Sequence, residues 1–201
     1  MLTSVLYKNL NKRITSLKKQ FLDFPPGDSP LAINQDKLRA FKLLVHAEIE
    51  SYIENSVLEV LNKCKTEWEN NKRIINPLKF LTMFSTSKFE ANEKQLIKED
   101  RITQILESFK KSIQNNNGIK RKDILLLIVP LGVDYSNIDQ TWLSTIDSYG
   151  SSRGRVAHNS FSVQQQLDQN DEINNLDLVL QGIKKLDMKL QKVSSSHRHP
   201  F

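Results

Sequence analysis

Residues 35–69 contain neither proline nor glycine, and Leu38, Phe41, Val45, Ile49, Tyr52, Ile53, Val57, Val60 and Leu61 recur within them three and four apart. That spacing is the period of a helix that buries one face. It predicts a helix of about 30 residues, roughly 45 Å long. In a chain of 201 residues a rod of that length becomes the axis on which the other elements pack.

The other segments carry shorter versions of the same pattern. Leu6, Leu10, Ile14, Leu17 and Phe21 form one stripe in residues 1–22. The plain reading is a basic amphipathic helix docked on the domain, and a mitochondrial transit peptide is the alternative. Phe24-Pro25-Pro26-Gly27-Asp28-Ser29-Pro30 makes residues 23–34 a loop, since proline removes donors and glycine favours turns. Pro77 marks a break before the apolar run 78–84, and residues 85–87 read as a loop. A helix over 99–113 should end at Asn115-Asn116-Asn117-Gly118, with the glycine as a left-handed stop.

Ile124-Leu125-Leu126-Leu127-Ile128-Val129 suits a buried strand or a buried helix. No second convincing strand exists to pair with it, so a short helix capped by Asp123 and ended before Pro130 is expected. A helix over 140–149 follows, with Trp142, Leu143 and Ile146 inward. Gly150-Ser151-Ser152 then reads as a break before a further helical stretch through Val156 and Phe161. Ile173, Leu176, Leu180, Ile183, Leu186 and Leu190 stripe a last helix over 171–193, and 194–201 reads as a frayed tail. The expected fold is an all-α, single-domain helical bundle over 35–193, preceded by the basic helix.

Composition excludes several classes. With 38% hydrophobic and 26% charged residues the chain can bury a core. Its one cysteine, Cys64, rules out an internal disulfide framework and suits a reducing cytoplasm. The longest apolar run, residues 124–129, is six residues, too short to span a membrane, and no apolar stretch follows Met1 as in a secretory leader. Net charge is +6, and Lys8, Lys12, Arg13, Lys18 and Lys19 supply five of those charges with no acid in residues 1–22. The rest holds 24 Lys/Arg against 23 Asp/Glu, so contact with a polyanion there must rest on local clusters.

No phosphate loop, dinucleotide glycine fingerprint or His-Glu-x-x-His zinc helix is present, so no cofactor or metal is expected. His197 and His199 lie on the tail, where two histidines seldom mean a site. Two places remain. In Ser151-Ser152-Arg153-Gly154-Arg155-Val156-Ala157-His158-Asn159, two arginines and a histidine follow the expected break. A helix start favours anions, and guanidinium groups add phosphate recognition. Histidine moves protons near neutral pH and arginine stabilises charge on a phosphorane-like transition state, so the pair could cleave RNA through its own 2′-hydroxyl without a metal. The plainer reading from residue chemistry alone is a helix start with solvated arginines and one polar histidine. On a continuous helix Arg153 and His158 lie about 140° apart, whereas Arg155 and His158 share a face. In Leu44-Val45-His46-Ala47-Glu48-Ile49-Glu50, His46 and Glu50 are spaced for a hydrogen-bonded ion pair. It is either a stabilising pair or a source of polar groups for the Arg–His site.

Together these segments resemble the HEPN superfamily, specifically its RiboL-PSP-HEPN-like branch. The hallmark of that superfamily is an arginine, four to six residues, then a histidine, as in Arg153 and His158. The long helix around residues 39–54, the apolar run into Leu131-Gly132 and the segment from Leu180-Gln181-Gly182 to Leu186-Asp187 are similar in order, so the resemblance spans roughly 35–190.

The resemblance implies a helical bundle, usually a homodimer with the two Arg–His motifs facing each other, which would reconcile the 140° separation. It implies a metal-independent endoribonuclease of a toxin–antitoxin or other defence system, with an antitoxin or nucleotidyltransferase as a potential partner. His158 would be the general acid or base, and Arg153 would hold the scissile phosphate. Arg155, Asn159, Lys120, Arg121 and Lys122 would contact RNA, with His46 and Glu50 in support. Other members are non-catalytic modules that bind RNA or protein. Gly154 stands where active members commonly carry Asn, Asp or His, a departure that favours this second class.

Overall fold

The computed structural model describes residues 3–22, 34–86, 98–158 and 166–195; of residues 86, 98–100 and 154–158 it describes the backbone. Among the described residues there are seven α-helices and no strand, so the fold is all-α. The loop expected over 23–34 lies outside them except for Asn34, as do Ser87, Asn159, Phe161 and the tail from 196. No helix among them is long and apolar enough to cross a membrane.

The long helix is α2, Gln35–Asn71. Asn34 caps it by accepting the backbone N–H groups of Asp36 and Lys37. It ends at Lys72, which takes the left-handed conformation at φ 51° without a glycine. The predicted stripe is its buried face, and α2 touches every other helix. The first helix, α1 (Val5–Phe21), lies along it and buries Leu10, Ile14 and Leu17. Arg13 pairs with Glu48 of α2 at 2.9 Å, and Lys18 with Asp177 at 2.9 Å.

Helices α3 (Asn76–Thr86) and α4 (Lys98–Gln114) cover another side of α2. Pro77 sits in the first turn of α3, where its missing N–H costs nothing, so it opens a helix rather than breaking one. Ser85 and Thr86, expected in a loop, are the last residues of that helix. Gly118 is not the left-handed stop of α4, for its φ is not positive. A Cβ there would lie 2.8 Å from the carboxylate of Asp123, so the glycine leaves room for that side chain.

The apolar run 124–129 is helical, as expected: α5 spans Arg121–Ile128 and passes into a 3-10 turn at Val129–Leu131. Asp123 lies inside the first turn and accepts the N–H of Lys120 at 3.1 Å. Gly132 ends the turn at φ 89°, a conformation other residues resist, with the Phe80 ring against it.

Helices α6 (Gln140–His158) and α7 (Gln169–Ser195) run antiparallel. Near the start of α6, Trp142 lies over Gly182 of α7 and donates to the Val179 carbonyl at 3.1 Å. Farther along α6, Tyr149 approaches Glu172, which forms a buried ion pair with Lys42 of α2. The expected break at Gly150-Ser151-Ser152 does not occur, and α6 is continuous through it. Gly150 is buried where the helix meets Ile119 and Lys120, and the Ser152 hydroxyl donates back to the Tyr149 carbonyl at 2.7 Å. Packing and that local bond override the tendency of the triplet to end a helix.

A second buried acid joins the first helix to the last. Asp187 of α7, 2% exposed, accepts the backbone N–H and hydroxyl of Ser4 at 2.9 and 2.5 Å. It also accepts the Tyr52 hydroxyl at 2.9 Å and the Gln191 amide at 2.8 Å.

Candidate functional site

The site forms where α2 and α6 come together beside the start of α5. Position 46 faces inward because it falls on the apolar stripe of α2, between Val45 and Ile49, and His46 is only 2% exposed. One turn on, Glu50 places Oε2 3.7 Å from His46 Nδ1. That is too long for a hydrogen bond, and Nδ1 is buried without a hydrogen-bond partner. Burial and then the nearby Arg153 guanidinium lower the His46 pKa to about 4. The imidazole is therefore neutral near pH 7, and the hydrogen-bonded ion pair expected from the i, i+4 spacing is not formed.

Arg153 of α6 acts on Glu50 as well. Burial, Glu54 and Asp123 push the Glu50 carboxyl up, while Arg153 favours its charged form. Glu54 accepts the Asn116 side-chain amide at 2.9 Å, and that amide also donates to the Gly118 carbonyl at 3.0 Å. The result is a neutral buried imidazole, an arginine, and three carboxyl groups held by α2 and the α5 start. The same guanidinium therefore links the two sequence segments that looked chemically interesting.

Arg153 does not sit at a helix start. Because α6 continues to His158, there are no free helix N–H groups beside it to hold an anion, and that part of the expectation is overturned. Positions 153 and 158 lie five residues apart on one helix, about 140° around its axis. The side chains of Arg155 and His158 lie outside the description, as does Asn159.

Of the basic triplet, Lys120 alone is placed beside this site. A Cβ on Gly150 would lie 3.2 Å from Lys120 Cγ, so α6 touches the α5 start one turn before Arg153. The Arg121 backbone N–H donates to Asp147 of α6 at 3.0 Å. Its guanidinium donates to the Tyr135 hydroxyl and to Gln140 Oε1. Lys122 is exposed.

Reading the sequence missed Glu54, Asn116 and Asp123 as neighbours of Glu50, and Lys42, Tyr149 and Glu172 as the supports beneath. For part of this a signal existed: Lys42, His46, Glu50 and Glu54 are four apart in a mostly apolar helix. Asn116 and Glu172 arrive by tertiary folding alone. Among the described residues, no group of three or more His, Cys, Asp or Glu is placed to hold a metal ion.

A bundle built on one long helix, with a buried polar cluster where that helix meets an Arg-x4-His helix, defines a HEPN-type domain. The RiboL-PSP-HEPN family model matches residues 7–192, and the chain belongs to that family. No curated protein and no solved structure matches the chain.

Proposed function

We propose that the chain is a metal-independent endoribonuclease acting as a homodimer, in a toxin–antitoxin or defence setting with an antitoxin or nucleotidyltransferase as partner. The observation that carries this reading is that Arg153 lies close enough to His46 and Glu50 to act on both electrostatically, in a chain of this family. The Glu50 carboxylate favours the nearby cation, while the neutral His46 adds no competing charge.

The chemistry follows from a phosphodiester beside a 2′-hydroxyl. His158 accepts the 2′-hydroxyl proton as the 2′-oxygen bonds to phosphorus, and the bond to the 5′-oxygen breaks. That oxygen leaves as a hydroxyl after taking up a proton, and the other product end is a 2′,3′-cyclic phosphate. Arg153 binds the non-bridging oxygens, whose negative charge grows in the transition state. Residues 153 and 158 face different ways on one helix, so a second copy would complete each site. Arg155, Asn159 and Lys120-Arg121-Lys122 would hold the flanking RNA backbone.

The test is cleavage of labelled RNA in EDTA by wild type, Arg153→Ala and His158→Ala. Wild-type cleavage that falls about 10²–10⁴-fold in either variant supports the reading. Equal cleavage by all three overturns it. Salt-sensitive RNA binding without cleavage would favour the non-catalytic module to which Gly154 points.

A further inference from the structure

A row of cations interrupted by one aromatic ring leads away from Arg153 along the α5–α6 edge. Lys120 touches α6 one turn before Arg153. Beside it, the Arg121 guanidinium lies 5.7 Å from the centre of the Tyr135 ring. Tyr135 is 40% exposed and opens the 3-10 turn Tyr135–Asn137. The next residues form one wall of a groove of about 660 Å³, floored by Trp142 and Leu186. The other wall is α7, which presents Lys185, Lys189 and Lys192. Those lysines fall at i, i+4 and i+7, on one face of the helix.

The acids nearby, Asp134 and Asp139, are kept ionised by local hydrogen bonds and each faces one groove lysine, Lys189 and Lys185. Asp134 accepts the Ser136 N–H at 2.9 Å and the Ser136 hydroxyl at 2.8 Å. Asp139 accepts the N–H groups of Thr141 and Trp142 at 3.0 and 3.2 Å, with Lys185 at 3.5 Å. Three lysines against two carboxylates leave the groove net positive next to an exposed ring. Cations for phosphates and an aromatic face for a base are the two elements of sequence-tolerant single-strand binding.

We infer that this track binds single-stranded RNA outside the cleavage site, an inference that rests on the ribonuclease reading. Phosphates lie on the α7 lysines, a base stacks on Tyr135, and the strand passes Arg121 and Lys120 to reach Arg153. Residues 140–153 of α6 span roughly 20 Å, so only an RNA of several nucleotides reaches both places. The lysines act on affinity for long RNA and leave the chemical step alone.

The test uses a fluorescent 2′-O-methyl RNA of roughly 12 nucleotides, which has no free 2′-hydroxyl to be cleaved. It is titrated at several salt concentrations with wild type, K185Q/K189Q/K192Q and Tyr135→Ala. The triple variant should bind at least about tenfold more weakly, with the salt slope reduced by about 2. Tyr135→Ala should bind about tenfold more weakly with an unchanged slope. Cleavage of a short RNA by the triple variant should match wild type. If that variant melts early, Lys189→Gln alone should lower the slope by about 0.7. Wild-type affinity and slope in the lysine variants would overturn the track and leave the ribonuclease reading standing. Absence of wild-type binding also overturns the track, and the EDTA-resistant cleavage assay then decides the ribonuclease reading separately. Equal competition by an oligoglutamate peptide would overturn it in favour of an acidic protein partner.

Discussion

Lys42 of α2 and Glu172 of α7, 130 residues apart in sequence, form an ion pair inside the bundle. The Lys42 ammonium also lies 5.8 Å from the centre of the Tyr149 ring. Burial and the adjacent Glu172 raise the Tyr149 pKa, keeping that phenol neutral. Three helices thus meet at one charge pair, one turn along α2 from His46 and one turn along α6 from Arg153. Glu172→Ala would leave the ammonium buried and unpaired, at a cost of about 3–5 kcal/mol in chemical denaturation. The double variant K42M/E172L should recover most of that loss, since two apolar groups need no partner. A double variant as unstable as the single one would show that the unpaired charge is not the source of the loss.

The buried imidazole makes stability depend on acid. His46 has a folded-state pKa of about 4, below its ordinary 6.5, so between those values the unfolded chain binds more protons. Its contribution is complete above pH 6.5 and is lost as pH falls towards 4, amounting to about 3 kcal/mol. The raised carboxyl of Glu50 works in the opposite direction, since a raised folded pKa favours the folded state as pH falls. His46→Gln should therefore flatten the acid limb of a plot of unfolding free energy against pH. Identical acid limbs in wild type and variant would rule out a buried neutral histidine.

Arg153 can be located without any activity measurement. Its charge helps to keep the His46 pKa low, so Arg153→Ala should raise the His46 titration midpoint seen by NMR. The midpoint should remain below 6.5, because burial is the larger cause. Arg153→Lys should shift it less, as the charge is kept. A midpoint unmoved by Arg153→Ala would separate the α6 arginine from the α2 histidine.

Gly182 gives a sharp packing test. A Cβ at that position would lie 2.0 Å from Trp142 Cδ1, inside the indole ring. Gly182→Ala must push Trp142 out of its seat and strain its bond to the Val179 carbonyl, costing about 1–3 kcal/mol or more. Thermal melting that matches wild type would contradict the close approach of α6 and α7.

Much of the fold is legible because it is carried by period. The stripes of α2 and α4 bury every residue that their spacing selects, and those of α1 and α7 bury all but Leu6, Phe21, Ile173 and Leu180, which are half-buried against the core. What period could not supply is the fate of local breakers. Pro77 opens a helix, Gly118 makes room for a carboxylate, and Gly150 lies against the α5 start. Only Gly150 was decided by a neighbour distant in sequence; the carboxylate beside Gly118 is five residues on, and Pro77 simply falls in a first turn. The candidate site divides in the same way. The interest of Arg153, His46 and Glu50 could be read from residue type and spacing, but the neutrality of His46 could not. It follows from burial and from a guanidinium that only the tertiary fold brings near.

The bond between Ser4 and Asp187 has a kinetic consequence. Those residues are 183 positions apart, so their contact closes a loop of almost the whole chain. Loop closure of that length is the slow, entropically opposed kind. Helix α1 leaves the ribosome before α7 and can lie along α2 as soon as α2 is made, yet the cap at its start is not complete until α7 supplies Asp187. The apolar stripe of α1 is thus covered early, and its first turn is among the last parts of the domain to be secured.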